Sequence, residues 1–275
     1  MPREGIWNNN GMRIGLRIMA AVWLLAMLPT GPMAKVPEST GVHYTFEAFR
    51  LEGGALVFRG EYTVERRDGV VRESHSYFNL DGGLAHQAEA VFDMNQRSPV
   101  SLREVMYPGQ ITREVVANGK GFTIREVDGK TGNLQRERNQ PMEPGLVFWP
   151  NLISLVREQL PALAPKGKIN LRLYDMESGD VVPIFLERMA GEGEGKVVGA
   201  QAVPTRLRMG VDLFLLSSIL PASYLTIPAA GPETGFEYQG RSVLRKVDGS
   251  GHEYLRIVYR PAPLGATVSQ MMAPR

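Results

Sequence analysis

Apolar and polar residues alternate along most of this chain. Tyr44, Phe46 and Ala48 alternate with Thr45, Glu47 and Phe49, and Leu56, Phe58, Gly60, Tyr62 and Val64 alternate with Val57, Arg59, Glu61 and Thr63. A period of two marks half-buried strands, because successive side chains leave a strand on opposite faces. Between the runs stand Gly53-Gly54, Asp68-Gly69, Asp81-Gly82-Gly83, Asn118-Gly119 and Asp128-Gly129, whose tolerance of positive φ suits tight hairpins. The order predicted is therefore a meander. Further strands fall at 70–80, 84–94, 100–107, 110–117, 122–127 and 133–138, then at 168–174, 181–188, 196–202, 205–211, 224–227, 236–246 and 253–259.

The period changes once, at Pro150. Leu152, Leu155, Val156 and Leu160 share one face at helical spacing, which predicts a helix over 151–160 with Asn151 as N-cap and Pro161 as its stop. The run 213–220 (LFLLSSIL) reads equally as a buried strand or a short apolar helix. So many consecutive strands must curl or split to avoid a long exposed edge. The expected fold is mainly β: an antiparallel meander curled into a half-barrel or barrel-like sheet, with one short helix packed on it. A single β-rich domain over 35–260 is expected, with a sub-boundary at 140–145 (QPMEPG) if there are two, and a flexible tail over 261–275.

The first 34 residues follow another logic. Arg13 and Arg17 precede an apolar run at 18–28 (IMAAVWLLAML) closed by Pro29, Gly31 and Pro32, the form of a secretory signal peptide. The run is short for a membrane span, which needs roughly 20 apolar residues. Ala34 suits cleavage but Pro32 does not, so uncleaved membrane attachment stays open, as does a start at Met12 rather than Met1. Of 31 Lys+Arg and 29 Asp+Glu, the leader takes Arg3, Arg13, Arg17 and Glu4, leaving 28 of each and no net charge. Such a chain lacks the electrostatic footprint of a nucleic-acid binder. With no cysteine there is neither disulfide nor lipid attachment, and stability rests on apolar burial.

The chemistry-bearing residues form no catalytic or metal pattern. His43, His75, His86 and His252 lack metal-ligand spacing and read as surface or hairpin residues. Gly249-Ser250-Gly251-His252 lacks the frame of a nucleophilic serine and reads as a hairpin tip. Gly191-Glu192-Gly193-Glu194-Gly195-Lys196 and Gly129-Lys130-Thr131 fail as phosphate loops, since Ala190 and Ile124 stand where the first glycine is needed. No catalytic residue, metal or cofactor is expected.

What remains is apolar: Leu146-Val147-Phe148-Trp149-Pro150 leading into the helix, and the run 213–220. Core packing is the first explanation of such stripes. The second is a hydrophobic groove for a lipid or acyl chain, lined by Phe148, Trp149, Leu152, Leu155, Val156 and Phe214. Trp149 is the one tryptophan beyond the leader, Trp7 and Trp23 being the others.

The export signal, the meander, the helix running from Asn151 into a connection at Gly167, and the segments Pro221-Ala222-Ser223-Tyr224-Leu225 and Phe236-Glu237-Tyr238-Gln239-Gly240 together resemble uncharacterised periplasmic β-domain proteins of Gram-negative bacteria. Their half-barrel is similar to that of the lipoprotein carriers (LolA/LolB-like). The chain departs from that pattern where Phe214 and Leu215 replace a tryptophan. The resemblance implies a periplasmic, non-catalytic envelope protein that holds a lipid-like ligand in the concave face of its sheet. The alternatives are an assembly factor that contacts another envelope protein and, from a different class, an envelope hydrolase.

Overall fold

The alternation and the turn dipeptides translate into strands almost residue for residue. The computed structural model describes residues 40–94, 99–107, 111–143, 146–160, 163, 167–189, 204–212, 221–228, 234–246 and 251–263. All of them belong to one unit, Glu38–Arg275. Eight strands come first: β1 (Thr40–Arg50), β2 (Leu56–Arg67), β3 (Val70–Asn79), β4 (Leu84–Asp93), β5 (Pro99–Met106), β6 (Ile111–Ala117), β7 (Gly121–Asp128) and β8 (Leu134–Pro141). A two-residue strand β9 (Leu146–Val147) leads into helix α1 (Trp149–Gln159). Six strands follow: β10 (Lys168–Asp175), β11 (Asp180–Arg188), β12 (Thr205–Val211), β13 (Ser223–Ile227), β14 (Phe236–Arg245) and β15 (His252–Ala262).

These strands make one sheet in the order β8-β7-β6-β5-β4-β3-β2-β1-β15-β14-β13-β12-β11-β10-β9. Every pairing is antiparallel except the short parallel contact of β9 with β10. The first and last strands meet in the middle, with His43 opposite Ala262 and Arg50 opposite Leu255. Pro261 and Ala262, expected in the tail, are therefore paired residues of β15. The sheet is curled but not closed, since its edges β8 and β9 do not pair. The segment between them is the proline-bearing stretch expected as a sub-boundary. Side chains bridge this seam instead: Arg136 and Arg138 donate to the Ser178 carbonyl (3.0 and 2.9 Å) in the β10–β11 turn.

Turn chemistry follows local rules with one exception. Asp68 (φ 51°) and Gly69 (φ 77°) make a two-residue turn with both central residues left-handed. In the β7–β8 loop the left-handed residue is Gly132 rather than Gly129. There Asp128 Oδ1 accepts from the amides of Lys130 and Thr131 (both 2.9 Å), the donors that a phosphate would need. Those hydrogen bonds hold the Asp128 carboxyl below its ordinary range.

Helix α1 begins two residues before the expected start. Phe148 is the N-cap, Pro150 sits in the first turn where no amide hydrogen is required, and Asn151 Oδ1 accepts from the Phe148 amide at 2.9 Å. Asn151 thus caps backwards from the third helical position rather than standing at the N-cap. The helix buries Leu152, Ile153 and Val156 against the inner face of the sheet. Beneath it lies an aromatic cluster: Phe236 stacks on Tyr259 (centroids 4.0 Å apart), Phe46 lies 4.7 Å from Tyr77, and Tyr44 lies 5.4 Å from Phe236. Arg157 clamps the far end, donating to Tyr44 Oη (2.5 Å) and the Thr234 carbonyl (3.2 Å) while lying over the Tyr44 and Phe236 rings. Gly60 is required here, because a Cβ would meet the Phe46 ring at 2.1 Å.

Candidate functional site

At the N-terminal end of α1 the inner face is not filled. A cavity of about 230 Å³ opens between β5–β6 and β10–β15. Its walls include Trp149, Leu173, Met176, Val182, Ile184 and Met209, and the lining is mostly apolar. Two local contacts border the space. Gly210 lets the Phe185 ring lie flat against β12, where a Cβ would meet it at 2.6 Å. Trp149 turns its ring edge onto Tyr238 at 5.1 Å rather than entering the core.

The β10–β11 turn forms one rim. Glu177 accepts from His252 Nε2 (2.6 Å) and pairs with Arg241 (3.7 Å) and Arg245, while the carbonyls of the same turn take the β8 arginines. His252 Nδ1 lies 2.9 Å from the Ser242 carbonyl. Burial, helped by Arg241, pulls His252 below its ordinary value. This turn is tied on one side to the edge strand and on the other to β14 and β15.

A row of polar side chains crosses the inner face. Cross-strand register sets Glu126 beside Arg113, Arg113 beside Glu104, Glu104 beside Ala88, Ala88 beside His75, and His75 beside Tyr62. Arg113 donates to Glu126 (2.9 Å) and Glu104 (3.3 Å), and His86 Nε2 lies 2.9 Å from Glu104. Burial alone would raise Glu104, but the hydrogen bonds and charges of His86 and Arg113 hold it below its ordinary range. It is therefore an ionised acceptor, and His86 carries a proton on Nε2. Burial, with His86 nearby, lowers His75 to about 3, so its ring is neutral. One row further on, Glu73 is fully buried; burial raises it to about 7 against the hydrogen bonds from Ser154 (2.6 Å) and Tyr62 (2.8 Å).

The histidines thus contradict the surface expectation. His43, His75 and His86 are buried and only His252 is half-exposed; His75 and His86 point inward with the odd positions of β3 and even positions of β4, whereas His43 lies on β1 beside Thr63. His75 and His86 come together with Glu104, and His252 lies on the larger cavity. The alternation at 71–77 and 86–92 carried this signal, since it places Glu73, His75 and His86 on the same face as Tyr77, Ala90 and Phe92.

The residues expected to face a ligand separate. Trp149 lines the cavity. Phe148 is wholly buried, its ring 5.3 Å from Phe122 and 5.5 Å from Tyr174 in a second core cluster. Leu152 and Val156 are main-core residues, and Leu155 is half-buried against the same core. The helix that docks on aromatics must spend its apolar stripe there, so only its first residue reaches the cavity. Phe214, the run 213–220, the expected strand 196–202, the leader and Ser250 lie outside the described residues. Among the described residues no group of three His, Asp or Glu is placed to hold a metal ion, and no helix is long and apolar enough to cross a membrane.

No protein-family model matches the chain, and no curated protein matches it. Among solved structures the chain is similar to a beta-barrel-like protein of Domain of Unknown Function DUF1849 from Brucella abortus, with a TM-score of 0.43 and 9% identity, covering 81% of this chain and 95% of that one.

Proposed function

We propose that this chain is an exported, non-catalytic envelope protein that holds an apolar ligand in the cavity beside Trp149. The observation that carries the reading is the cavity itself: a mostly apolar space beside the aromatic core, left open at the one helix end that reaches it. Interiors normally fill such space, and a dry apolar cavity of about 150 Å³ already suffices for benzene. A cavity of about 230 Å³ suits one short acyl chain or a comparable apolar group rather than a two-chain lipid.

The resemblance of the sequence to periplasmic β-domain proteins agrees with this reading, as does the leader over 1–34, which directs the chain to the periplasm under this proposal. Native mass spectrometry of the purified protein tests it, together with titration by an uncharged, environment-sensitive apolar dye. A copurifying apolar adduct and saturable dye uptake that Trp149→Ala weakens are expected. No adduct and no saturable uptake would sink the proposal.

A further inference from the structure

A niche of about 20 Å³ lies against the cavity, lined by His75, His86, Ala88 and Glu104 and sharing Glu104, Trp149, Met176 and Val243 with it as common walls. Its origin is one side chain. In the row Arg113, Glu104, Ala88, His75 and Tyr62, every member but Ala88 is large, so the methyl group leaves a gap between a carboxylate and two imidazoles. On two residues that line this gap, His75 Nε2 and His86 Nδ1 have no partner among the described residues, although the residues are only 4% and 2% exposed. An unpaired buried polar atom costs roughly 1–3 kcal/mol, so a fold that retains two of them around one gap holds a site for a polar group.

The chemistry of that group follows from the walls. The volume admits one small polar atom with its hydrogens, since about 10–15 Å³ is the least that holds a water. A carboxylate would meet the buried, ionised Glu104, whose partners His86 and Arg113 are already engaged. An ammonium offers only donors: it could donate to His86 Nδ1 but could not accept from a His75 Nε2–H. With His86 protonated on Nε2 its Nδ1 is an acceptor, and a hydroxyl that donates to it also accepts from His75 in the Nε2–H tautomer. We infer that the niche binds the hydroxyl group of an uncharged, single-chain amphiphile whose tail occupies the larger cavity. The inference rests on the apolar-ligand proposal and names the ligand class for it.

Titration calorimetry of the full chain with four eight-carbon probes tests this: 1-octanol, its methyl ether, octanoate and octylammonium. Eight carbons match a cavity of about 230 Å³ at roughly 30 Å³ per water-sized group. Octanol should bind about tenfold or more tighter than the ether, with octanoate and octylammonium weaker still. Ala88→Val, which fills the gap, should level octanol with the ether while leaving the ether's affinity within about twofold. Equal affinity for octanol and ether in the parent protein, or tightest binding of either charged probe, would overturn the hydroxyl assignment and leave the cavity reading standing. Binding of none of the four, with no copurifying adduct, would overturn both. The ranking on the parent protein decides alone if Ala88→Val does not fold.

Discussion

The two halves of the inner face are built from the same strand pattern but end differently. On β1–β3, β14 and β15 the inward positions carry Tyr44, Phe46, Tyr62, Tyr77, Phe236 and Tyr259, and α1 covers them. Toward β4 and β10–β12 they carry Ala88, Leu173, Ile184 and Met209, and the cavity beside Trp149 lies against the last three of these. Alternation decides which side chains point inward; their size decides whether the space is filled. The inner face is thus filled under α1 and around Phe122 and Phe148, and open beyond the N-terminal end of the helix beside Trp149.

The largest test of this contrast is stability. Leu152→Ala, under the helix, should cost about 3 kcal/mol in urea unfolding, whereas Val182→Ala, already bordering open space, should cost under about 1 kcal/mol. Equal losses would erase the distinction between the halves.

Next in size is a pH effect. Glu73, raised to about 7, keeps in the native state a proton that the unfolded chain releases near its ordinary 4.5. Its contribution is fully present below about 4.5 and is lost as pH rises through about 7. His75, lowered to about 3, stays neutral where the unfolded chain takes up a proton near 6.5. Its contribution is present above about 6.5 and is lost as pH falls towards 3. Between 4.5 and 6.5 the two slopes oppose and cancel. Relative to the parent, Glu73→Gln should therefore make stability rise with pH across this window and His75→Gln should make it fall, each by about 1.4 kcal/mol per pH unit. Denaturation midpoints at pH 4.5, 5.5 and 6.5 read this out, and parallel curves for parent and both variants would contradict it.

Trp149→Ala should weaken uptake of the apolar dye about tenfold, near 1.4 kcal/mol, while Leu155→Ala leaves uptake unchanged. A smaller effect belongs to the seam. Arg138→Ala should cost under about 1 kcal/mol globally but speed amide hydrogen exchange in the β10–β11 turn. Unaltered exchange there would mean that the edge strand does not hold the rim.

Strands and most turns were legible because their causes are local: alternation such as Tyr44-Phe46-Ala48, and Asp68-Gly69 with its left-handed backbone. The start of α1 was displaced because Asn151 fits two capping roles, and only the three-dimensional path of Phe148 chooses between them. The pairing of β1 with β15 was not legible, since no local pattern states which distant strand His43 will face. The polar row was legible only in part: alternation puts His75 on the face of Tyr77, but register alone joins it to Glu104 and Arg113 on two other strands. Of the residues expected at the cavity, Trp149 was found because it belongs to the apolar run 146–150 that leads into the helix, whereas Ala88, the residue that makes the niche, offers no chemistry of its own to notice.

The meeting of the first strand with the last also sets how this chain must acquire its structure. Arg260 pairs with Glu47 at 2.7 Å across 213 residues of sequence, so one flank of β1 waits until nearly the whole chain is present. Topologies dominated by such distant contacts fold slowly, on the millisecond-to-second scale, because the entropy of closing the loop is lost before the contacts reward it. Until β15 is made, β1 therefore keeps an unpaired flank in the middle of the sheet.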